Sequence, residues 1–172
     1  SGKGILAIRV GNTATQEAFS LTSSGEVRMN NGTRLTANTS ILDNNWHHIV
    51  VTYNTSLATN NLKIYIDGNL EATNAGAGGT IDNDTVNLDI GMRGDNDLFY
   101  SGVIYEVAIW NSDQSANAST IYNSGAPNDL ASLSPVSWWR FEGSGTTATD
   151  SGSGGNDGTL TNGVTRSTDV PT

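Results

Sequence analysis

Two short segments rich in Asp and Asn contain the side chains best suited to bind a metal ion. Calcium takes roughly six to eight oxygen ligands from carboxylates, amides and backbone carbonyls. The spacing of these residues does not match an EF-hand loop. We predict a calcium site here, with the open alternative that the same residues only form turns. The predicted metal ligands are Asp82, Asp84, Asp95 and Asp97.

An aromatic residue beside the second acidic segment suggests sugar binding. The ring of Tyr100 can stack on the C–H face of a pyranose, and the neighbouring polar side chains can bond the sugar hydroxyls. The predicted ligand-binding residues are therefore Arg93, Asn96 and Tyr100. The tripeptide Arg93-Gly94-Asp95 also matches the integrin motif, but so short a match arises by chance and receives no integrin role.

The sequence lacks the residues and motifs on which several enzyme classes depend. The chain contains no Cys, which excludes thiol catalysis and Cys-ligated zinc. It has no P-loop, GxSxG or HExxH pattern. Glycoside hydrolysis needs two carboxylates about 5 to 10 Å apart, whereas Glu106 stands alone in its segment. We therefore predict that the protein is not an enzyme.

The net charge of the chain limits the kinds of molecule that it can bind. Eight Lys and Arg residues stand against 17 Asp and Glu residues, so the net charge is −9. An acidic chain without a basic stripe repels polyphosphate, and we predict no nucleic-acid partner. No apolar stretch approaches the roughly 18 residues that span a bilayer, so we also predict no membrane insertion.

Short apolar runs separated by turn residues predict a fold made of strands. The run at 46–53 is apolar or aromatic at positions of both parities, which predicts a central strand covered on both faces. Asp67-Gly68 predicts a tight hairpin, and 143–158 is predicted to be a loop. The predicted strands are 5–10, 17–22, 26–29, 33–36, 46–53, 62–66, 69–72, 86–90, 103–110, 138–141 and 159–164.

The pattern changes after Asn111. Residues 115–122 predict one short helix, with Ser115 as its N-cap and Gly125 just beyond its C-terminus. His47 and His48 are predicted to serve packing or hydrogen bonding, and Trp110, Trp138 and Trp139 to anchor the core or its edge rather than bind sugar.

Four segments occur in a fixed order: Asn45 to Tyr53, Leu62 to Gly68, Leu88 to Gly91 and Gly102 to Trp110. The set resembles the concanavalin A-like, laminin G/pentraxin-like jelly rolls over roughly residues 4–122. The resemblance implies an all-β, two-sheet antiparallel jelly-roll sandwich with one short helix near residues 115–123. Related glucanases carry their carboxylates as ExDxxE, a string that this sequence lacks.

The segments Ile121 to Phe141 and Asp150 to Gly163 resemble the tail of such domains in structural proteins of marine bacteriophages. The resemblance implies a jelly roll at 1–125 without its N-terminal strand, a connector at 126–137, and a segment at 138–172 that packs on the same sandwich or on a neighbouring subunit. Independently of the resemblance, residues 138–141 are predicted to form a strand in the same sandwich as residues 46–53, because two Trp and one Phe are too apolar to remain solvated.

Together with the sequence patterns, these resemblances imply a non-catalytic module on a virion or an extracellular surface, which we expect to adhere to cell-surface glycans through its loops. The alternative is a purely architectural capsid-decoration or fibre subunit that binds only protein, and a glucanase-like hydrolase is the remote third class. The predicted protein partners are further copies of this chain or other virion or filament proteins.

Overall fold

Short strands and one α-helix make up the computed structural model of the protein, which describes residues 3–8, 19–30, 34–74, 88–92 and 99–172. The strands that pair do so antiparallel, and the described chain is mostly β. The strands are β1 (Lys3–Ile8), β2 (Phe19–Leu21), β3 (Glu26–Asn30), β4 (Arg34–Ser40), β5 (Ile49–Tyr53), β6 (Leu62–Ile66), β7 (Asn69–Asn74), β8 (Leu88–Ile90), β9 (Val107–Ile109), β10 (Ser137–Trp139), β11 (Thr147–Ala148) and β12 (Gly158–Thr159).

Residues 1–101 form one compact unit. Its described strands make a five-stranded sheet of order β4-β3-β2-β1-β8 and a three-stranded sheet of order β5-β6-β7. Strand β4 packs against β6 and β7, so the two sheets lie face to face as in a sandwich. This architecture confirms the predicted all-β jelly-roll fold.

The middle strand of the three-stranded sheet is β6, which forms a hairpin with β7. Leu62, Ile64 and Ile66 alternate with less buried residues along β6, and Ile64 is fully buried. Asp67 and Gly68 take positive φ angles of 50° and 77°, as a tight hairpin turn requires. The predicted hairpin is therefore confirmed.

Strand β5 corrects one prediction. It begins at Ile49 rather than at Trp46, and one face is buried while the other is half-buried. Among the described strands β5 lies at the edge of its sheet and pairs with β6, which differs from the central, doubly covered position that was predicted. Residues 46–48 instead belong to the loop before β5, where His47 contacts Asp43 and the His48 N–H donates to Asp67.

Residues 102–172 form the second compact unit. Strand β10 pairs with β9, and β11 pairs with β12. Strand β9 is shorter than the predicted strand at 103–110, because Glu106 has a positive φ of 52°. Strand β10 ends at Trp139, and Phe141, which was predicted to belong to it, has a positive φ of 56°.

The predicted helix is confirmed as α1 (Ala118–Tyr122), preceded by a 3-10 turn at Ser115–Asn117. Ser115 is not its N-cap, because Asn117 occupies that position. The Ser115 N–H donates to Asp113 Oδ1 at 2.9 Å. Asn123 ends the helix in the left-handed conformation, and Gly125 follows with a φ of 93°. Within the described ranges no helix is long and apolar enough to cross a membrane.

Candidate functional site

Most of the predicted site lies outside the described residues. Arg93 and Asn96, predicted to bind ligand, lie there, and the same holds for the predicted metal ligands Asp82, Asp84, Asp95 and Asp97. Tyr100 is described: it is half-buried, and its N–H donates to Gly91 O at 2.7 Å. Among the described residues, no group of three or more His, Asp or Glu side chains is arranged to hold a metal.

A charged cluster forms where β9 begins and β10 ends. The antiparallel register places Trp139 opposite Val107, so the next pair outward is Glu106 and Arg140. Arg140 Nε donates to Glu106 Oε1 at 3.3 Å. Pairing of the two strands therefore brings together a cation and a carboxylate that are 34 residues apart in the chain.

A second carboxylate completes this arginine–glutamate cluster, which we define as Tyr105, Glu106, Arg140 and Glu142. Arg140 Nη2 donates to Glu142 Oε1 at 2.8 Å, and the Tyr105 hydroxyl donates to the same oxygen at 3.3 Å. The guanidinium thus lies between two glutamates, one mostly buried and one exposed, with side-chain exposures of 15% for Glu106 and 51% for Glu142.

The cluster rests on an aromatic ring. Alternate residues of a strand share a face, and the Arg140 guanidinium carbon accordingly lies 5.1 Å from the centroid of the Trp138 ring. Trp138 is 5% exposed, so the arginine covers it. A cation at this distance over an indole is stabilised by the ring quadrupole.

Burial dominates the electrostatics of the cluster. It raises the pKa of Glu106, although the hydrogen bond and charge of Arg140 act in the opposite direction. Burial and the charges of Glu106 and Glu142 also raise the pKa of the Tyr105 hydroxyl. A mostly buried carboxylate whose pKa is shifted beside a specific charge partner is a candidate functional group, although structural ion pairs show the same shift.

A second polar group ties the 41–48 loop to the turn after β6. His47 Nδ1 lies 2.8 Å from Asp67 Oδ2, and His47 Nε2 lies 2.9 Å from Asp43 Oδ1. The backbone of His48 is held there too, since its N–H donates to Asp67 Oδ1 at 2.8 Å. The predicted hydrogen-bonding role of His47 is confirmed.

The Gly-rich segment that was predicted to be only a loop contains an ordered carboxylate. Asp150 Oδ1 accepts the N–H groups of Trp138 at 2.7 Å and Gly152 at 2.8 Å. Its Oδ2 accepts the N–H of Asn156 at 2.8 Å. With both oxygens bonded to backbone N–H groups, Asp150 has a structural role.

The tryptophans act as anchors, as predicted. Trp139 Nε1 donates to Asn156 O at 2.8 Å, and Trp110 Nε1 donates to Leu133 O at 3.0 Å. Trp138 and Trp139 are both buried.

The sequence alone did not indicate the arginine–glutamate cluster. Glu106 was considered in isolation, and Arg140, Glu142 and Tyr105 received no role. The usable signal was the pairing of the strands at 103–110 and 138–141, because the correct register places Glu106 opposite Arg140. Glu142 could not be placed in this way, because Phe141 before it has a positive φ, which the alternation of apolar and polar residues does not reveal.

Comparison with known proteins gives one match. The family model of the concanavalin A-like lectin/glucanases superfamily matches residues 1–121. Neither the curated proteins nor the solved structures contain a significant match.

Proposed function

The chain belongs to the concanavalin A-like lectin/glucanases superfamily, and on that basis we propose that it is a non-catalytic, adhesive binding module that recognises glycans at a virion or extracellular surface. The fold is compatible with either a carbohydrate-binding or a structural role. The observation that favours binding is the arginine–glutamate cluster.

This cluster offers the groups that a sugar requires. A guanidinium has five N–H donors, and the bonds to Glu106 and Glu142 use two of them. Arg140 is 40% exposed and Glu142 is 51% exposed. A ligand hydroxyl can therefore accept a hydrogen bond from Arg140 and donate one to Glu142. Because both side chains are already held in place, the site loses little conformational entropy when a ligand binds.

The same geometry argues against glycoside hydrolysis. Hydrolysis needs one carboxyl group as an acid and a second carboxylate opposite it, with the glycosidic bond between them. In the cluster Arg140 binds both glutamates. The space between the carboxylates is therefore filled by a cation rather than left for a substrate.

The loop residues Arg93, Asn96 and Tyr100 remain proposed sugar contacts, and calcium bound by Asp82, Asp84, Asp95 and Asp97 remains a proposed cofactor. Shallow sites of this kind bury little area and bind weakly. Useful adhesion then requires several copies acting together, which a virion or a filament supplies.

A glycan array tests the proposal with the whole chain, presented both as a monomer and clustered on beads. We expect clustered protein to bind at least one glycan and the monomer to bind it more weakly. Glu142→Gln should lower the signal, since a neutral amide accepts hydroxyls less strongly. The matched control is Glu71→Gln, because Glu71 also accepts one hydroxyl bond, from Thr39 at 2.6 Å, but is not in the cluster.

Clustered protein that binds no glycan would contradict this function. Equal losses in the Glu142→Gln and Glu71→Gln variants would exclude the cluster as the contact surface. Release of reducing sugar from any polysaccharide would overturn the assignment as non-catalytic.

A purely architectural subunit is the second candidate, and exposed apolar side chains are the feature that bears on it. Leu42 is 64% exposed, Leu70 53% and Phe99 46%. Large exposed apolar groups favour contact with other protein chains when they lie in one patch. A sedimentation experiment that shows self-association without glycan binding would support this candidate over the first.

A further inference from the structure

We propose that His47 forms a proton-dependent bridge between Asp43 and Asp67, and that losing one proton from His47 releases the 43–48 loop from the turn after β6. This inference concerns regulation of the fold and does not depend on the glycan proposal. It follows from the geometry of three side chains.

Both ring nitrogens of His47 face carboxylate oxygens. Nδ1 lies 2.8 Å from Asp67 Oδ2, and Nε2 lies 2.9 Å from Asp43 Oδ1. An ionised carboxylate can only accept hydrogen bonds. A neutral imidazole has one N–H and one lone pair, whereas the imidazolium donates from both nitrogens. Only the protonated ring therefore satisfies both contacts.

Neither carboxylate is free to turn away. Asp67 Oδ1 accepts the His48 N–H at 2.8 Å, and the Asp67 N–H donates back to His48 O at 2.9 Å. Asp43 is held by Asn45, whose N–H and side-chain Nδ2 donate to Oδ1 and Oδ2, each at 2.9 Å. Neutral His47 would place its lone pair against one of these fixed oxygens, so one contact must break.

The position of the 41–48 loop determines what the loss of the His47 bridge would change. Residues 41–48 connect β4, in the five-stranded sheet, with β5, in the three-stranded sheet. The first residue of this connection is held separately, since the Ile41 N–H donates to Gly25 O at 3.0 Å. Loss of the bridge would therefore loosen the later part, residues 43–48.

The charged groups that face His47 among the described residues are Asp43, from its own loop, and Asp67, from the turn after β6. Burial lowers the pKa of His47, but the two aspartates outweigh burial and raise it above the ordinary value of 6.5. The stabilising contribution is thus complete below about pH 6.5 and disappears as the pH rises through the folded pKa.

His48 titrates in the opposite sense. Burial lowers the pKa of its ring, with Asp67 acting against that shift. Protonation of His48 therefore destabilises the fold as the pH falls below about 6.5. The contributions of the two adjacent histidines to the pH dependence of stability can be distinguished, because His47 acts above about pH 6.5 and His48 acts below it.

NMR of the whole chain tests the inference. We expect His47 to carry protons on both ring nitrogens at pH 6.5 and to titrate above that pH. The amides of Asn45 and His48 should shift with the same midpoint, because both donate to the bridging aspartates. A His47 midpoint at or below 6.5, or amides that do not follow it, would overturn the proposal.

Variants give an independent measurement. In His47→Gln, the loss of stability above pH 6.5 should disappear from urea unfolding curves, whereas His48→Gln, the matched control, should keep it. The same pH dependence in wild type and His47→Gln would also overturn the proposal. Should His47→Gln fail to fold, the NMR titration of the native protein decides the question alone.

Discussion

The carboxylate of Asp150 accepts the backbone N–H of Trp138 across 12 positions of sequence, at 2.7 Å. An isolated bridge also pairs Asp150 with Trp139. The Gly-rich segment is thereby joined to β10, and β10 in turn pairs with β9. The Asp150 side chain therefore helps to hold the strand that precedes Arg140, together with the backbone bonds to this segment and the pairing with β9.

Asp150→Asn should destabilise the protein. Hydrogen bonds to a charged group contribute about 1.5–3 kcal/mol each, and Asn replaces one accepting oxygen with a donor, so we expect a loss of about 3 kcal/mol in urea unfolding. Asp129→Asn is the control, since Asp129 accepts one backbone N–H, from Ala131, and it should cost about 1 kcal/mol or less.

The pH dependence of Asp150 has a definite sign. Burial raises its pKa, but the bonds from Trp138, Asn156, Gly152 and Ser137 outweigh burial and leave the pKa below 3.8. Its stabilisation is therefore complete above about pH 4 and disappears as the pH falls through the folded pKa. Asp150→Asn should remove this part of the acid unfolding, and an unchanged acid limb would contradict the role of Asp150.

Two glycines of the same segment should respond differently to alanine. A Cβ at Gly152 would lie 2.6 Å from Val136 O and 2.7 Å from Ser137 Cα, which are backbone atoms that cannot move aside cheaply. At Gly155 the Cβ would meet nothing within 4 Å, but φ is +62°. We expect Gly152→Ala to cost about 3 kcal/mol and Gly155→Ala about 1 kcal/mol. Thermal unfolding of the pair checks the order, and equal costs would contradict it.

The strands of the fold could be predicted because their residues alternate. Leu62, Ile64 and Ile66 are buried on every second position, and Asp67-Gly68 marks the hairpin directly. Periodicity carries no information on backbone conformation at single residues, so the positive φ angles of Glu106 and Phe141 shortened two predicted strands.

The candidate site was harder to predict because it depends on long-range register. Asp150 lay in a segment whose composition indicates only a loop, yet its oxygens bind N–H groups from residues 138, 152 and 156. Composition identifies residues that favour turns, but it does not identify which distant N–H group a carboxylate will meet.

The two partners of the Glu106–Arg140 pair should differ when each is replaced. Arg140→Gln leaves the mostly buried Glu106 carboxylate without its cation, so we expect a loss of about 1–2 kcal/mol at pH 7. Glu106→Gln removes a charge that burial disfavours and leaves Arg140 bound to Glu142, so it should change stability by about 0.5 kcal/mol or less. Chemical unfolding of both variants at pH 7 is the measurement.

The pH dependence of this pair distinguishes it from simple packing. Burial raises the folded pKa of Glu106 above 4.5, so ionisation of Glu106 costs stability as the pH rises from about 4.5 through the folded pKa. The penalty of Arg140→Gln should therefore shrink toward pH 4, where Glu106 is neutral. A penalty that is constant from pH 4 to pH 7 would mean that Arg140 acts only by packing on Trp138.

Calcium should stabilise the protein if the acidic segments bind it. A ligand that binds only the folded state adds RT ln(1 + [L]/Kd), about 2.7 kcal/mol when its concentration is about 100 times Kd. Calorimetry with chelator and with millimolar calcium measures the shift, which Asp95→Asn and Asp97→Asn should abolish and Asp129→Asn should leave intact. Magnesium should replace calcium poorly, since it requires a near-octahedral shell at shorter distances. Identical unfolding curves with and without calcium would leave Asp82, Asp84, Asp95 and Asp97 as turn residues.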